Sequence, residues 1–423
     1  MRKHVENDIL GLFEQSRHLS TELILSSTII DVAIIGAGPY GLSMAACLRP
    51  SHKKVRIFGS PMYSWKHHMP LGMHLKSEGF SNNMHAPDSA YTLEDFCAER
   101  AIPYAHIGLP VALETFHDYG MEFQRRFVPH LEDVHVTSLK QSANGVFDLT
   151  LATGEALSAR SVVVSTGVPH FAYTPENLLG LPADKVSHSA HYGDLSIHKG
   201  RDIAVIGGGA SALDIAALAV KAGANVELIA RCETLPFHDP PVEPRPLWQR
   251  LKAPRSGLGT GWRSLMCTDL PLVFHAMPSE FRVKVVKHHL GPAPCWFTRD
   301  SVEGLMPMHL GAAIENVTAV DGKVRIDLSL AGRPDKALLV DHVIAGTGYK
   351  AAVTRFKFLD QSLISRIATV EESPALNRRF ESSVPGLYFV GAAAANSFGP
   401  MLRFAFGSKF ASKRVAGRLA KAA

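Results

Sequence analysis

The chain has few cysteines, no long apolar run and little excess charge of either sign. Its 423 residues include five cysteines, all widely separated, so neither a redox dithiol nor a cysteine zinc site is predicted. No apolar stretch approaches the roughly 20 residues that a membrane-spanning helix needs, and the first 30 residues carry acids that argue against a signal peptide. A net charge of +5 without a basic run favours binding to neither nucleic acid nor a membrane. We therefore expect a cytoplasmic globular protein.

Metal chemistry is also poorly supported. His67, His68, His74 and His85 lie close together in the sequence, but on an irregular stretch broken by Pro and Gly. Their spacing does not match a metal site, and no carboxylate pattern completes one. We predict no metal.

The first positive signal is a short apolar strand that runs into a glycine turn and an Ala-rich helix. Gly36, Gly38 and Gly41 have the G-x-G-x-x-G spacing of a Rossmann dinucleotide site, which serves a tight turn, close approach of a pyrophosphate, and helix packing. Pro39 and Tyr40 open the helix, whose first amides can face phosphates. We call this segment the first cradle.

A second cradle follows, with Gly207, Gly209, Ala210 and Ser211 between another apolar strand and another helix. It lies too far along the chain to be the second half of the same Rossmann sheet. Two dinucleotide sites imply an internal electron relay, and we assign FAD to the first cradle and NADPH to the second. Arg231, at the end of the next strand, suits the 2′-phosphate of NADPH, although a surface arginine at a strand end would look the same.

The residue that should bind the ribose of FAD is less clear. An acid is expected at the end of the strand after the first cradle, and the chain has Gly59 there. The sequence does not indicate which residue replaces the acid.

These signals predict an α/β fold with two Rossmann-like dinucleotide-binding domains, the NADPH domain inserted in the FAD domain, and a small, mainly helical insertion. The expected boundaries are an N-terminal extension at 1–30, an FAD domain at 31–198 and 341–423, and an NADPH domain at 199–340. Residues 236–303 open with several prolines and then carry aromatic and basic residues, which we interpret as a lid or substrate wall. Nucleic-acid binding is the alternative for that composition, but no recognition motif accompanies it.

With both cradles in place, the chain resembles the single-component flavoprotein monooxygenases, which include flavin-containing monooxygenases, Baeyer–Villiger monooxygenases, and lysine and ornithine N-hydroxylases. The resemblance covers most of the chain. Ser165-Thr166-Gly167 and Thr347-Gly348-Tyr349 look like the group's Ala-Thr-Gly and Thr-Gly-Tyr segments, and His188 to Tyr192 is similar to its His-Ser-x-x-Tyr linker. The resemblance implies further cofactor contacts, from Trp65, Ser77, Thr166, Gly167, Thr347, Gly348 and Tyr349.

The departures from the family patterns are informative. The linker lacks the Trp of a Baeyer–Villiger enzyme, and Gly391-Ala392 stands where disulfide reductases generally have Gly-Asp. The closing segment resembles the flavin-binding end of the fold, a strand feeding a helix whose N-terminus can face the isoalloxazine. Its implied cofactor-binding residues are Gly391, Phe398, Gly399 and Pro400.

The stretch from Leu75 to Leu93 is similar to the active-site segment of the N-hydroxylases, in which a lysine sits beside the flavin and helps to hold the substrate. Lys76 matches that lysine, and with Asn82 it is the predicted catalytic pair. Glu78 replaces an Asp of the family pattern, so substrate identity does not carry over. A solvated loop lysine is the alternative for Lys76.

The resemblance implies that NADPH reduces FAD and that a C4a-hydroperoxyflavin then hydroxylates a small polar substrate, at an amine nitrogen. The implied partners are that substrate and O2. Alternatives are an aromatic or purine hydroxylase of the urate hydroxylase type, an NADPH-dependent flavin reductase or oxidase, and a regulatory protein that holds FAD without turnover. An amphipathic stretch within residues 1–28 would pad the FAD domain or pair with another subunit in a homo-oligomer.

Overall fold

A computed structural model gives the fold. It describes residues 29–421 apart from 88–89, 242–243, 290, 292 and 331. The predicted N-terminal extension, 1–30, therefore lies almost entirely outside the described residues.

The first cradle belongs to a six-stranded sheet with the order β2-β1-β5-β4-β3, in which β18 also pairs with β5. The strands are β1 (Ile30–Ile35), β2 (Val55–Phe58), β3 (Val136–Gln141), β4 (Phe147–Leu151), β5 (Ala156–Val164) and β18 (Leu387–Phe389). Pairing of β1 with β2 and β5 is parallel and aligns Ile35 with Phe58 and Val164. Because parallel strands end on the same edge, the turn after β1 opens at the carboxyl edge of the sheet, where ligands bind in such folds.

Five helices belong to this part of the chain: α1 (Pro39–Leu48), α2 (Tyr63–His67), α3 (Leu93–Glu99), α4 (Leu113–Phe127) and α5 (Glu176–Leu179). Helix α1 consists mainly of small or apolar residues. Its buried face packs on the sheet and on the C-terminal helix. Helix α3 begins with a capping box in which Thr92 and Asp95 satisfy each other's backbone amides.

The second cradle belongs to a separate five-stranded parallel sheet with the order β11-β8-β7-β15-β6. Its strands are β6 (Val186–His188), β7 (Asp202–Ile206), β8 (Asn225–Ala230), β11 (Met308–Leu310) and β15 (His342–Ala345), and the cradle helix is α6 (Ala210–Lys221). The sheet takes in β6 and β15, which lie just beyond the predicted limits of 199 and 340. Strand β15 pairs with β7, and β6 pairs with β15, so the segments that link the domains also complete this sheet.

Residues 236–303 form the predicted insertion, and their described part is mainly helical. It contains α7 (Leu247–Lys252), α8 (Trp262–Asp269), α9 (Pro271–His275), α10 (Ser279–His288) and α11 (Trp296–Arg299), with a hairpin of β9 (Arg255–Ser256) and β10 (Gly259–Thr260). Helices α9 and α10 pack against the C-terminal segment of the chain.

A three-stranded antiparallel sheet, which the sequence patterns did not predict, covers the second domain. It consists of β12 (Ala312–Val320), β13 (Lys323–Leu330) and β14 (Arg333–Val340). On β13, Val324, Ile326, Leu328 and Leu330 are buried while most of the alternate residues are not, which is the period of a sheet with one buried face.

The C-terminal part returns to the first domain. It contains α12 (Gln361–Ile364), the short pair β16 (Thr369–Val370) and β17 (Ser373–Pro374), then α13 (Ala395–Phe398) and α14 (Ser408–Leu419). The single helix expected after β18 is instead broken into short turns, because Gly399 takes a φ of 102° that a helix cannot contain. Helix α14 buries one face against α1.

Among the described residues, no helix is both long enough and apolar enough to cross a bilayer.

Candidate functional site

A single cavity joins the two cradles. Its volume is about 2650 Å³, and it is lined by residues of both sheets, of the insertion and of the C-terminal segment. Ordinary small-molecule pockets measure about 300–1,000 Å³, so this cavity has room for more than one ligand. Most of the predicted site residues line it: Gly36, Gly38, Pro39, Tyr40, Trp65, Lys76, Ser77, Asn82, Thr166, Gly167, Gly207, Gly209, Ala210, Ser211, Arg231, Thr347, Gly348, Tyr349 and Gly391.

The first cradle has the shape that a pyrophosphate needs. Gly36 has a φ of 110°, and a Cβ there would lie 2.7 Å from the carbonyl oxygen of Ser165. A Cβ on Gly41 would lie 1.9 Å from the Gly36 carbonyl oxygen, whereas a Cβ on Gly38 would have no atom within 4 Å apart from those of its chain neighbours. Gly36 and Gly41 are thus required by the close packing of turn, helix and strand, and Gly38 leaves open space at the start of α1. The residues present fit a dinucleotide.

Two polar groups support that fit. The hydroxyl of Thr166 is buried and has no hydrogen-bond partner among the described residues, so it is available to a bound cofactor. The hydroxyl of Tyr40 bonds to the carbonyl oxygens of Leu402 and Phe404, 2.9 and 2.8 Å away. Tyr40 thereby fixes the start of α1 against the C-terminal segment, and burial raises the pKa of this phenol well above its usual range.

The position after β2 has a polar arrangement that the sequence did not reveal. Gly59 stands where an acid was expected, and the next residue, Ser60, lines the cavity and donates its hydroxyl to Asp133. The backbone of Gly59 also donates to the Glu132 carbonyl oxygen at 3.0 Å, which draws this acidic pair to the end of β2. Because Asp133 comes from a distant segment, no spacing rule could have identified it.

The second cradle is built in the same way. Gly207 has a φ of 143°, and a Cβ there would lie 2.3 Å from the carbonyl oxygen of Gly346. Ser211, in the first turn of α6, donates to the Ser189 hydroxyl at 3.2 Å. Arg231 is exposed, follows β8 directly and lines the cavity. That is the place from which a guanidinium can meet a ribose phosphate.

The linker histidine His188 holds the segment that contains Thr347, Gly348 and Tyr349. Its Nε2 donates to the Gly348 carbonyl oxygen at 2.9 Å, and its Nδ1 accepts from the Ala190 amide at 3.0 Å. This arrangement requires a neutral ring, and burial accordingly lowers the pKa of His188 to about 4. His188 therefore acts as a fixed support between the two domains.

The two predicted catalytic residues are both held by other protein groups. Lys76 Nζ donates to Asp214 Oδ1 at 2.6 Å. Asn82 is buried; its Oδ1 accepts from the Ser77 hydroxyl at 2.6 Å, and its Nδ2 donates to the carbonyl oxygens of Ser77 and Glu78 at 3.1 and 3.0 Å. The amide of Asn82 thus closes the loop that follows Lys76. Asp214 did not stand out in the sequence, because its partner is 138 residues away.

Four predicted residues lie beside the cavity rather than in its wall. Gly41 packs beneath the first cradle, and Gly399 and Pro400 follow the buried Phe398, whose ring stacks on Phe380 at 3.9 Å and on His275 at 4.7 Å. Direct contact with a cofactor stays a prediction for these four, as it does for the residues in the cavity wall.

The clustered histidines separate in space. The described residues contain no group of three or more His, Cys, Asp or Glu side chains arranged to hold a metal. His68 donates from Nδ1 to the Ala190 carbonyl oxygen at 2.6 Å, and His85 is buried beside α14. All five cysteines are free thiols.

Comparisons with known proteins agree with this architecture. Residues 30–247 match the sequence model of the pyridine nucleotide-disulphide oxidoreductase family. An FAD-dependent urate hydroxylase of Xanthomonas campestris pv. campestris is 34% identical over 103 residues, a match that spans 23% of this chain and only 22% of that protein.

Two solved structures share the fold over almost their whole length. The ornithine N-hydroxylase of Kutzneria sp. 744, with reduced FAD, NADP+ and L-ornithine, superposes with a TM-score of 0.73 at 17% identity, covering 92% of this chain and 99% of that one. The cadaverine monooxygenase of Erwinia amylovora, bound to FAD, gives 0.70 at 15% identity, covering 93% and 95%.

Proposed function

Because the chain belongs to the pyridine nucleotide-disulphide oxidoreductase family, we propose that it is an FAD-dependent, NADPH-using monooxygenase that hydroxylates a small polar substrate at an amine nitrogen. The observation that carries the proposal is that both cradles open into one cavity, while the sequence provides no cysteine pair to receive electrons. A pyridine nucleotide in the second cradle would then pass its electrons to a flavin in the first. No dithiol is predicted that could take the electrons from the flavin. Molecular oxygen is the acceptor that we propose.

The side chains of the cavity have binding and shielding tasks. Gly36, Gly38 and Thr166 would hold FAD, and Gly207, Ser211 and Arg231 would hold NADPH. Bound FAD, once reduced, supplies the oxygen-activating chemistry, with a C4a-hydroperoxyflavin as the proposed oxygenating species. The protein contributes position and exclusion of water, which protects a reactive species from hydrolysis.

The insertion supports the shielding role. Its hairpin reaches the flavin-domain loop, where Ser81 donates its hydroxyl to the Gly257 carbonyl oxygen. Two further hydrogen bonds join the insertion to the C-terminal segment: Arg282 donates to the Ser397 carbonyl oxygen at 3.0 Å, and Arg403 donates to that of His289 at 3.1 Å. These contacts bring the insertion over the region between the two cradles.

Amines are the favoured substrates because the proteins with this fold include an ornithine N-hydroxylase and a cadaverine monooxygenase. The second candidate is hydroxylation of a purine, which the local identity to a urate hydroxylase favours. Cadaverine, L-ornithine, L-lysine and urate are therefore the first compounds to test.

The decisive experiment is to reduce the protein with NADPH without oxygen, mix it with oxygen in a stopped-flow spectrometer, and quantify hydrogen peroxide. A C4a-hydroperoxyflavin spectrum, and a test substrate that lowers peroxide per NADPH while its hydroxylated product appears, are the expected results. Direct return to oxidised flavin with stoichiometric peroxide, in the presence of every test compound, would favour a flavin reductase or oxidase instead.

A further inference from the structure

An ion pair in the cavity wall joins the two domains and is not explained by cofactor binding alone. Lys76, on the loop after α2, and Asp214, on α6, approach to 2.6 Å between Nζ and Oδ1. Their side chains are 21% and 8% exposed, so the pair is largely withdrawn from water. Taking such a pair out of water costs desolvation free energy, and losing one partner then leaves the other charge poorly compensated.

The insertion closes around the same pair. The Phe297 ring centroid lies 4.9 Å from Lys76 Nζ, and the Thr298 hydroxyl lies 3.4 Å from Asp214 Oδ1. The Cys295 thiol is 3.7 Å from the Lys76 carbonyl oxygen. The FAD-domain loop, the helix of the second cradle and the insertion therefore meet at one point.

The position of each partner links the pair to a cradle. Helix α6 begins at Ala210, so Asp214 lies about one turn beyond the second cradle and moves with it. Lys76 directly precedes Ser77, which is tied to Asn82 in a loop that lines the same cavity. The ion pair consequently sets the distance between the second cradle and this loop.

We propose that Lys76 and Asp214 are positioning residues for the reduction of FAD by NADPH, and that Lys76 is committed to this pair rather than to the substrate. In that step the C–H bond at nicotinamide C4 breaks and its hydride, with both electrons, bonds to flavin N5, so NADPH becomes NADP+ and FAD becomes FADH−. The proposal rests on the proposed use of these two cofactors. An alignment error of about 1 Å can slow such a step about 100-fold.

The test uses the FAD-loaded enzyme in four forms: wild type, Lys76→Met, Asp214→Asn and the double variant. Anaerobic stopped-flow measurements give the limiting rate of flavin reduction by NADPH, and NADP+ titrations give its dissociation constant. Each single variant should reduce the limiting rate about tenfold or more with little change in NADP+ affinity. Because the residues act through each other, the double variant should be no slower than the slower single variant. Lys76→Arg, which retains the charge, should recover part of the rate.

A second readout does not depend on turnover. In cofactor-free protein, hydrogen–deuterium exchange of residues 75–82 and of the first turn of α6 should accelerate in both single variants. Lys323→Met is the matched control, because Lys323 pairs with Asp202 and Asp341 at 3.2 and 3.3 Å outside the main cavity. It should alter neither the reduction rate nor the exchange of these segments.

Three results would overturn the proposal: losses that add in the double variant, unchanged exchange, or an unchanged reduction rate with a raised substrate KM in Lys76→Met. The last would mean that Lys76 meets the substrate. If Asp214→Asn fails to fold, the reduction rate and exchange of Lys76→Met decide the matter, since Lys76 is the more exposed partner of the pair. Reduction is measured without oxygen, so a flavin reductase could pass this test while failing the test for a monooxygenase.

Discussion

At the scale of single residues, the glycines of the first cradle serve two different purposes. An added Cβ on Gly41 would meet the Gly36 carbonyl oxygen at 1.9 Å, so Gly41 is needed by the protein itself. A Cβ added to Gly38 would point into open space, with no atom within 4 Å apart from its chain neighbours, so a small side chain there should disturb a ligand and not the fold. Substitution at Gly38 can therefore separate FAD binding from folding.

We predict that Gly38→Val folds but loses FAD, because the new methyl groups occupy the space of the pyrophosphate. Far-UV circular dichroism should be native, while the flavin absorbance of the purified protein should be nearly absent. Gly417→Val is the control, since a Cβ added to Gly417 would also point into open space. Gly417 lies on α14 and not in the first cradle. A fully yellow Gly38→Val protein would remove the first cradle from the FAD site.

Arg231 should determine the choice between NADPH and NADH. A charge-assisted hydrogen bond contributes about 1.5–3 kcal/mol, so Arg231→Ala should raise the KM for NADPH by roughly 10–100-fold and leave that for NADH nearly unchanged. Arg325→Ala, at a solvent-exposed arginine on β13 that does not line the cavity, should change neither value. Equal losses with both nucleotides would show that Arg231 does not contact the phosphate.

The residues that could be predicted from the sequence are those whose function is local. Gly36 and Gly41 lie within one turn, so their spacing is enough to predict the close contacts found there, while cofactor binding by Gly36, Gly38 and Gly41 stays a prediction. Lys76 was also identified, but its partner Asp214 was not, because an ion pair between distant segments depends on how the two domains dock. Asn82 was expected near the reacting centre, and its amide proves to be used within its own loop.

At the scale of elements, the insertion depends on close contact between its hairpin and the C-terminal segment. A Cβ on Gly257 would lie 2.0 Å from the Phe406 ring. Gly257 also receives the hydrogen bond from Ser81 that ties the hairpin to the flavin-domain loop. The position of the insertion over the cavity is therefore sensitive to a single methyl group.

Gly257→Ala should displace the hairpin and let water into the cavity, so that more peroxide is formed per NADPH oxidised. Limited proteolysis should cleave residues 253–261 faster than in the wild type. Adding Phe406→Ala to Gly257→Ala makes room for the methyl group. The double variant should therefore form less peroxide per NADPH oxidised than Gly257→Ala alone. Unchanged peroxide formation in Gly257→Ala, or a double variant that forms as much peroxide as Gly257→Ala, would contradict a shielding role for this hairpin.

The elements that were predicted are those with strong local signals. Prolines marked the start of the insertion, and apolar runs marked the strands beside both cradles. The sheet of β12 to β14 was missed, and the helix expected after β18 is interrupted at Gly399, whose positive φ is set by its surroundings rather than by the local sequence. Loop and turn conformations that depend on tertiary contacts cannot be predicted from spacing and composition.

At the scale of the whole molecule, family membership and the shared fold confirm the predicted class, a flavin-dependent oxidoreductase with two dinucleotide-binding sheets, and agree with FAD and NADPH as cofactors. The two sheets are joined by linkers rich in buried histidine. His198 is 1% exposed, packs between Tyr192 and His342, and has no hydrogen-bond partner on either ring nitrogen among the described residues. Burial lowers its pKa from 6.5 to about 4.

This burial makes the stability of the molecule depend on pH in a predictable direction. Below pH 6.5 the unfolded chain gains a proton on His198 while the native state does not, until the pH reaches about 4. The stability that comes from keeping His198 neutral is thus fully present above pH 6.5, the pKa of the unfolded histidine. It declines as the pH falls from 6.5 towards 4. His85 and His188, whose pKa values burial also lowers to about 4, act in the same direction.

We predict that His198→Phe makes the stability less dependent on pH. The substitution keeps an aromatic ring against Tyr192 and His342 and sacrifices no described hydrogen bond, so the variant should fold. Between pH 7 and 5, where ordinary carboxylates stay mostly ionised, its urea midpoint should fall less than that of the wild type, because one fewer histidine takes up a proton on unfolding. His130→Phe, at an exposed histidine, should retain the slope of the wild type. Equal slopes for His198→Phe and the wild type would mean that His198 is already protonated, or hydrated, in the native state.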